Sequence, residues 1–314
     1  MSDAPVLITG GAGFIGSHVV EALLVQGQSV RVLDNFSTGK RSNLKPHPQL
    51  EVLEGNVADA AQVERAVKGC CAVIHLAAVA SVQASVDDPL GTHQSNFLGT
   101  LNLCEAMRKQ GVQRVLFASS AAVYGPNGEG VAVAEDTPKA PLTPYAVDKL
   151  ASEYYLDFYR RQHGFQPVIF RLFNIYGPRQ DPSSPYSGVI SIFIERTHRQ
   201  QPIWVFGDGE QTRDFVYVED LVQLLIQGLQ QAQPTHLPVN VGLGRSTTLN
   251  QLLAHIAKTS GTVLPSVTHK EARSGDIRHS RADNQRLQEH YQLPGVTSLD
   301  EGLSRTLASV LDRN

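Results

Sequence analysis

The 314 residues suffice to bury one large core or two modest ones, and 41% hydrophobic with 18% charged residues excludes a disordered chain, a fibre or a repeat array. Twenty-seven basic residues nearly cancel thirty acidic ones, which leaves no overall field to hold nucleic acid or an anionic membrane surface. An anionic ligand would have to be met by local cations.

Residues 1–9 show no leader pattern, and no apolar run approaches the roughly 20 residues that span a bilayer, so a cytoplasmic protein is expected. Val6-Leu7-Ile8-Thr9 enters a glycine cluster, after which Ile15, Val19, Ala22 and Leu23 recur at helical spacing until Gly27. The pattern predicts strand, tight turn, helix. Further strand-like runs lie at 30–33, 50–53, 71–76, 115–118 and 168–172, separated by segments of helical periodicity. Their consecutive apolar residues fit strands buried on both faces, as in a doubly wound, Rossmann-type α/β fold with a parallel sheet. Cys70, Cys71 and Cys104 form neither a disulfide framework nor a zinc knuckle and read as reduced packing residues.

Residues 1–175 therefore read as one domain and 176–314 as a smaller substrate domain. In the second, a helix is expected near 189–197 and short strands around Val205 and Phe215. Val239-Asn240-Val241-Gly242 repeats the buried-strand pattern and could return to the first sheet, interleaving the domains.

Gly10-Gly11-Ala12-Gly13-Phe14-Ile15-Gly16 contains G-x-G-x-x-G between the predicted strand and helix, the context in which free N–H groups and the helix dipole bind a pyrophosphate. Asp34 ends the second strand, where a carboxylate can accept both adenosine ribose hydroxyls and repel a 2′-phosphate, favouring NAD over NADP. Tyr145 and Lys149 stand four residues apart after Pro144, on one helical face, and Ser119-Ser120 ends a strand whose carboxyl end borders the ligand crevice. A neighbouring ammonium would stabilise the phenolate of Tyr145, enabling it to take a hydroxyl proton. His75 and His279 have no partners at metal-binding spacing, so no metal is expected.

Taken together, TGGAGFIG (9–16), Asp34-Asn35, HLAA (75–78), SSAAVYG (119–125), YAVDK (145–149) and RLFNIYGPR (171–179) resemble the extended short-chain dehydrogenases/reductases, and within them the UDP-hexose 4-epimerases. The likeness spans nearly the whole chain. Ala121 and Ala122 replace the acid that related dehydratases and decarboxylases carry in this segment. The resemblance implies that hydride passes from sugar carbon 4 to a permanently bound NAD and returns to the other face of a rotated 4-keto sugar. Tyr145 would be the acid/base, Ser120 would hold the 4-hydroxyl, and Lys149 would bind the nicotinamide ribose and depress the tyrosine pKa. It extends the NAD site to Ser37, Thr38, Gly39, Asn56, Val57, Leu76, Ala77, Ala78, Ser95, Ser119 and Phe173. Asn56 stands where relatives often carry an aspartate, and Ala122 where many hexose epimerases carry threonine.

By the same likeness, GDGEQTRDFVYVEDL (207–221) and ARSGDIRHSRAD (272–283) are nucleoside-diphosphate segments. Arg213 and Arg273 would clamp the diphosphate with Asn174, Asp276 would take the uridine ribose, Trp204 and Phe206 the uracil, and Val189 would line the pocket. Ser280 falls where hexose-restricted relatives carry a bulky tyrosine; with Ala80 and the donor Ser81, it leaves room for an acetamido group. The expected substrate is UDP-N-acetylglucosamine/UDP-N-acetylgalactosamine, with UDP-glucose/UDP-galactose and, behind it, UDP-glucuronate as alternatives. A non-catalytic NAD-binding regulator is the competing class. Residues 96–110 and 146–162 resemble the helix pair through which relatives form homodimers, though packing on the sheet would give the same pattern.

Overall fold

The computed structural model describes residues 4–127, 130–182, 188–272, 277–293 and 295–311. Its first elements alternate: β1 (Val6–Thr9), α1 (Phe14–Val25), β2 (Val30–Asp34), β3 (Leu50–Glu54), α2 (Ala60–Val67) and β4 (Ala72–His75). There follow α3 (Val82–Asp87), α4 (Pro89–His93), α5 (Gly99–Gln110), β5 (Arg114–Ser120), α6 (Pro144–His163) and β6 (Gln166–Leu172). The second half comprises β7 (Asn174–Tyr176), α7 (Val189–His198), β8 (Ile203–Phe206), β9 (Thr212–Arg213), β10 (Phe215–Tyr217) and α8 (Val218–Gln230). It closes with β11 (Val239–Val241), β12 (Thr247–Thr248), α9 (Leu249–Ser260), β13 (Val267–Lys270), α10 (Gln285–His290) and α11 (Leu299–Leu311).

Among the described residues, seven strands form one sheet in the order β11-β6-β5-β4-β1-β2-β3. β1 pairs in parallel with both β2 and β4, so the direction of winding reverses between β1 and β4 and opens a crevice at their carboxyl ends. All four residues of β1 and of β4 are buried, because helices cover both faces. Leu7, Leu33, Val73, Leu103, Phe117, Leu156 and Ile169 join sheet and helices in one apolar cluster.

α6 begins because Thr143 caps it through the Ala146 N–H and Pro144 occupies its first turn. It ends at Gly164, whose φ of 68° is left-handed. The helix expected at 96–110 starts earlier: α4 and α5 are one run joined by a π turn at Gln94–Leu98. That turn carries Asn96, whose carboxamide holds both the N–H (2.8 Å) and the carbonyl (3.1 Å) of Val79.

The chain divides into two compact units that interleave: 1–123, 141–171 and 222–239 in one, and 124–140, 172–221 and 240–314 in the other. This differs from a single boundary at 175. Residues 222–239 belong with the sheet because Arg114 donates to the carbonyls of Gly228 (3.2 Å) and Gln231 (2.7 Å). Residues 124–140 belong with the second unit because Val133 bridges to Ala282, and Asn240 takes both the Tyr124 hydroxyl and the Val133 carbonyl. No helix among the described residues is long and apolar enough to cross a membrane.

Candidate active site

The glycine loop sits at the β1/β4 crevice. Gly10 adopts φ 71°, and a Cβ there would stand 2.8 Å from the backbone nitrogen of Ala77; at Gly11 one would meet Val32 Cγ2 at 2.6 Å. Only glycine permits both the turn and these approaches. α1 starts at Phe14-Ile15 after Gly13 with no side chain capping it. Its first N–H groups, Gly16 among the helix's opening residues, therefore face the loop as an anion cradle.

Asp34 is buried, and its carboxylate accepts the N–H of Ala12 (2.9 Å) and of Phe36 (2.8 Å). It thus braces the glycine loop, while each oxygen keeps a lone pair for a ribose hydroxyl. Asn35 closes an Asx turn on the Ser37 N–H (3.1 Å) ahead of Thr38 and Gly39, and Lys40 and Asn43 donate to the Ala12 carbonyl. On the far side Asn56 turns the chain through the Ala58 N–H, and Val57 packs beneath Gly99.

Leu76 and Ala77, followed by Ala78, are held by a proton-ordered chain. Their N–H groups donate to the Thr9 hydroxyl (3.3 and 3.2 Å), which contacts His75 Nδ1 at 2.7 Å. His75 Nε2 lies 3.0 Å from the Thr100 hydroxyl, whose own proton goes to the Asn96 carbonyl. Thr100 must therefore accept, so Nε2 carries the histidine proton and Nδ1 accepts from Thr9. Burial, and secondarily the charge of Lys149, push the His75 pKa down to about 3, so the ring stays neutral. Ser95 sits in the π turn, one residue before Asn96.

Tyr145 and Lys149 project from the first turns of α6 and are 9% and 5% exposed. The Tyr145 hydroxyl lies near Ser120, whose oxygen accepts the Ala122 N–H (3.2 Å). Burial raises the phenol pKa and the neighbouring Ser120 hydroxyl opposes the rise. Lys149 Nζ donates to the Ala118 carbonyl at 2.7 Å and stands 5.8 Å from the Tyr145 ring centre. No direct bond joins the lysine to the phenol, and the net effect of the surroundings is to raise the tyrosine pKa, not to depress it. Burial lowers the Lys149 pKa to about 8 against the upward pull of Asp148 and Glu153.

In the second unit, the 278–280 segment runs beside β9: Thr212 N–H donates to the Arg278 carbonyl (2.9 Å), and Ser280 N–H to the Thr212 carbonyl (3.2 Å). Ser280, half-buried, is thereby fixed next to Arg213. Arg213 donates through Nη1 to the carbonyls of Thr212 and Arg278. Asn174, in β7, donates its N–H to the Asp214 carbonyl, and Phe173, buried, donates its N–H to the Val241 carbonyl. Val189 opens α7. Trp204 and Phe206 share one face of β8, but Trp204 is 44% exposed, with Lys270 Nζ 3.6 Å and Arg196 Cζ 4.6 Å from its ring centre. Arg273 and Asp276 lie outside the described residues. Ser81, in the first unit, caps α3 by accepting the Ala84 N–H (3.0 Å), which leaves its own proton to donate.

Residues 6–242 match the NAD dependent epimerase/dehydratase family. The chain belongs to that family. It is 37% identical to a UDP-glucose 4-epimerase of Mycolicibacterium smegmatis over 96% of each chain. The structure is similar, with a TM-score of 0.94 and 36% identity over all of both chains, to a UDP-N-acetylglucosamine 4-epimerase of Methanobrevibacter ruminantium M1 in complex with UDP-N-acetylmuramic acid. It is also similar, with a TM-score of 0.89 and 38% identity over 97% of this chain and 98% of the other, to the Thermus thermophilus UDP-glucose 4-epimerase complex with NAD.

NAD is the cofactor of this epimerase/dehydratase family member, and its residues fit the group: the glycine positions that exclude a Cβ, the uncapped start of α1 and the buried Asp34 carboxylate form one cradle. Two members of the site escape sequence reading. Glu153 extends the Tyr145–Lys149 stripe by one more turn of α6, and Arg171 is a cation inside the apolar strand β6. The signals were the i+4 spacing and a charge where a buried strand should have none.

Proposed function

We propose that this NAD-dependent UDP-sugar 4-epimerase interconverts UDP-N-acetylglucosamine and UDP-N-acetylgalactosamine. The observation that carries the choice of sugar is Ser280, a small side chain on a segment fixed beside Arg213. A tyrosine there would fill the space an acetamido group needs, whereas serine leaves it open. Structural likeness to a UDP-N-acetylglucosamine 4-epimerase supports the same reading.

Bound NAD supplies a reversible hydride acceptor for sugar carbon 4. Tyr145 takes the 4-hydroxyl proton as the hydride leaves and gives a proton back on return. Ser120, beside the Tyr145 hydroxyl, aligns the sugar hydroxyl with that base. Lys149 holds a positive charge beneath the site, anchored on the Ala118 carbonyl, and favours the phenolate. Arg213, anchored through Nη1 on two backbone carbonyls, is the cation set to meet a diphosphate.

A plain hexose as preferred substrate is the second reading, favoured by the UDP-glucose 4-epimerases among the relatives. Anomeric-proton NMR with UDP-N-acetylglucosamine and UDP-glucose separately, using wild type and Ser280→Tyr, decides between them. Conversion of the N-acetyl sugar by wild type, lost in the variant while glucose turnover persists, is the expected result. Conversion of UDP-glucose alone by wild type overturns the N-acetyl assignment.

We further infer a homodimer through α4, the π turn and α6. Leu90, Leu98, Val147, Tyr154, Tyr155 and Phe158 are exposed there, and Phe97, Tyr155 and Phe158 form a run of edge-on ring contacts. A patch of this kind calls for a cover, and a second copy offers the same surface in return.

A further inference from the structure

Behind the tyrosine and lysine lies a buried polar cluster that the chemistry above leaves unused. Glu153 follows Lys149 by one helical turn, as Lys149 follows Tyr145, so the three side chains share a stripe of α6. The Glu153 carboxylate accepts the Ser119 hydroxyl at 2.5 Å and is gripped by Arg171 from β6 through Nε (2.9 Å) and Nη2 (2.6 Å). Ser119, Glu153 and Arg171 are all at most 4% exposed. A buried ion pair is costly to desolvate and is weak support for stability, so its presence calls for another explanation.

The geometry supplies one. Two successive residues at the end of β5 are tied to α6, Ala118 by its carbonyl to Lys149 and Ser119 by its hydroxyl to Glu153, and the next, Ser120, lies beside Tyr145. The buried Glu153 bond, with the Lys149 bond beside it, fixes how strand and helix are set against each other. Its charge also counters the burial of Lys149. The groups around the ammonium are His75 on β4, the Phe117 ring and Ala118 carbonyl on β5, Tyr145, Asp148 and Glu153 on α6, and Arg171 behind Glu153 on β6. His75 is neutral, and Asp148 is shared with His93 of α4 at 2.8 Å. Both carboxylates act on Lys149 in the charged state's favour, and Glu153 is the one held by an arginine instead of a histidine.

We propose that Glu153, oriented by Arg171, is a positioning residue that sets a carboxylate one helical turn from Lys149 and, through Ser119, holds the end of β5 with Ser120 against Tyr145. The inference uses the epimerase reading for its chemistry, but its test reads Lys149 directly and stands whichever sugar is turned over. Holoenzyme labelled with 13Cε-lysine would be titrated by NMR, the Lys149 signal being the one missing in Lys149→Arg. In Glu153→Gln, with Arg171 left as an uncompensated cation, the Lys149 midpoint should fall by about one pH unit or more, a tenfold loss of proton affinity. Glu153→Asp keeps the charge and should restore most of the shift. A midpoint unchanged in Glu153→Gln, or displaced equally by Glu153→Asp, would overturn the proposal. Should Glu153→Gln fail to fold, as judged by retained NAD and circular dichroism, Ser119→Ala tests the positioning half with the ion pair intact. A fall in kcat of about tenfold at unchanged KM is expected; unchanged kcat refutes the role.

Discussion

At the scale of single residues, the proposed chemistry rests on two buried groups, Tyr145 and Lys149, whose charged forms burial opposes. Tyr145→Phe removes the proton acceptor and nothing else of size, so kcat should fall by about 10²- to 10⁴-fold while purified protein still carries NAD. Lys149 is charged below its pKa of about 8 and neutral above it, so activity should decline as pH rises through that value. Both outcomes are read in one pH series of kcat. Tyr145, Lys149 and the glycines were legible in the sequence because their relation is local: four residues along a helix, or six along a loop. The partnership of Glu153 with Ser119 and Arg171 was not, since it joins residues 34 and 18 positions apart through a sheet register no local pattern reveals.

At the scale of elements, the apolar runs located every strand of the nucleotide sheet: central strands such as β1 and β4 are buried throughout and leave little else in the sequence, and the edge strand β3, only half-buried, still carries Leu50, Val52 and Leu53. The π turn at Gln94–Leu98 was hidden, as a widened turn uses the same residue types as its flanking helix. Hidden too was the part played by Asp214 between β9 and β10. Fully buried, its carboxylate accepts the N–H groups of Leu243 (3.0 Å), Gly244 (2.9 Å) and Ala282 (3.1 Å), joining three segments of the second unit. Burial raises its pKa while these donors pull it down. In Asp214→Asn the amide NH2 would confront backbone donors, leaving at least one unmet; unfolding in urea should show a loss of about 1–3 kcal/mol.

At the scale of the whole molecule, the exposed apolar face on α4, the π turn and α6 predicts that the protein associates. Light scattering at micromolar concentration should give twice the mass of the 34.2 kDa chain, and Tyr155→Glu with Phe158→Glu should return it to the monomer value. A monomeric wild type would remove the second copy as the cover for that face. The sequence could show the apolar stripe but not which part of it the sheet already covers, since both uses select the same residues. The sheet itself has a further consequence. Its edge strand β11 comes from residues 239–241, long after β6 has been made. During synthesis on a ribosome, the nucleotide-binding unit must therefore wait with β6 bare, an open row of donors and acceptors that another nascent chain could pair with. Protection by a chaperone, or slow translation of residues 172–221, would act on this interval before the sheet closes.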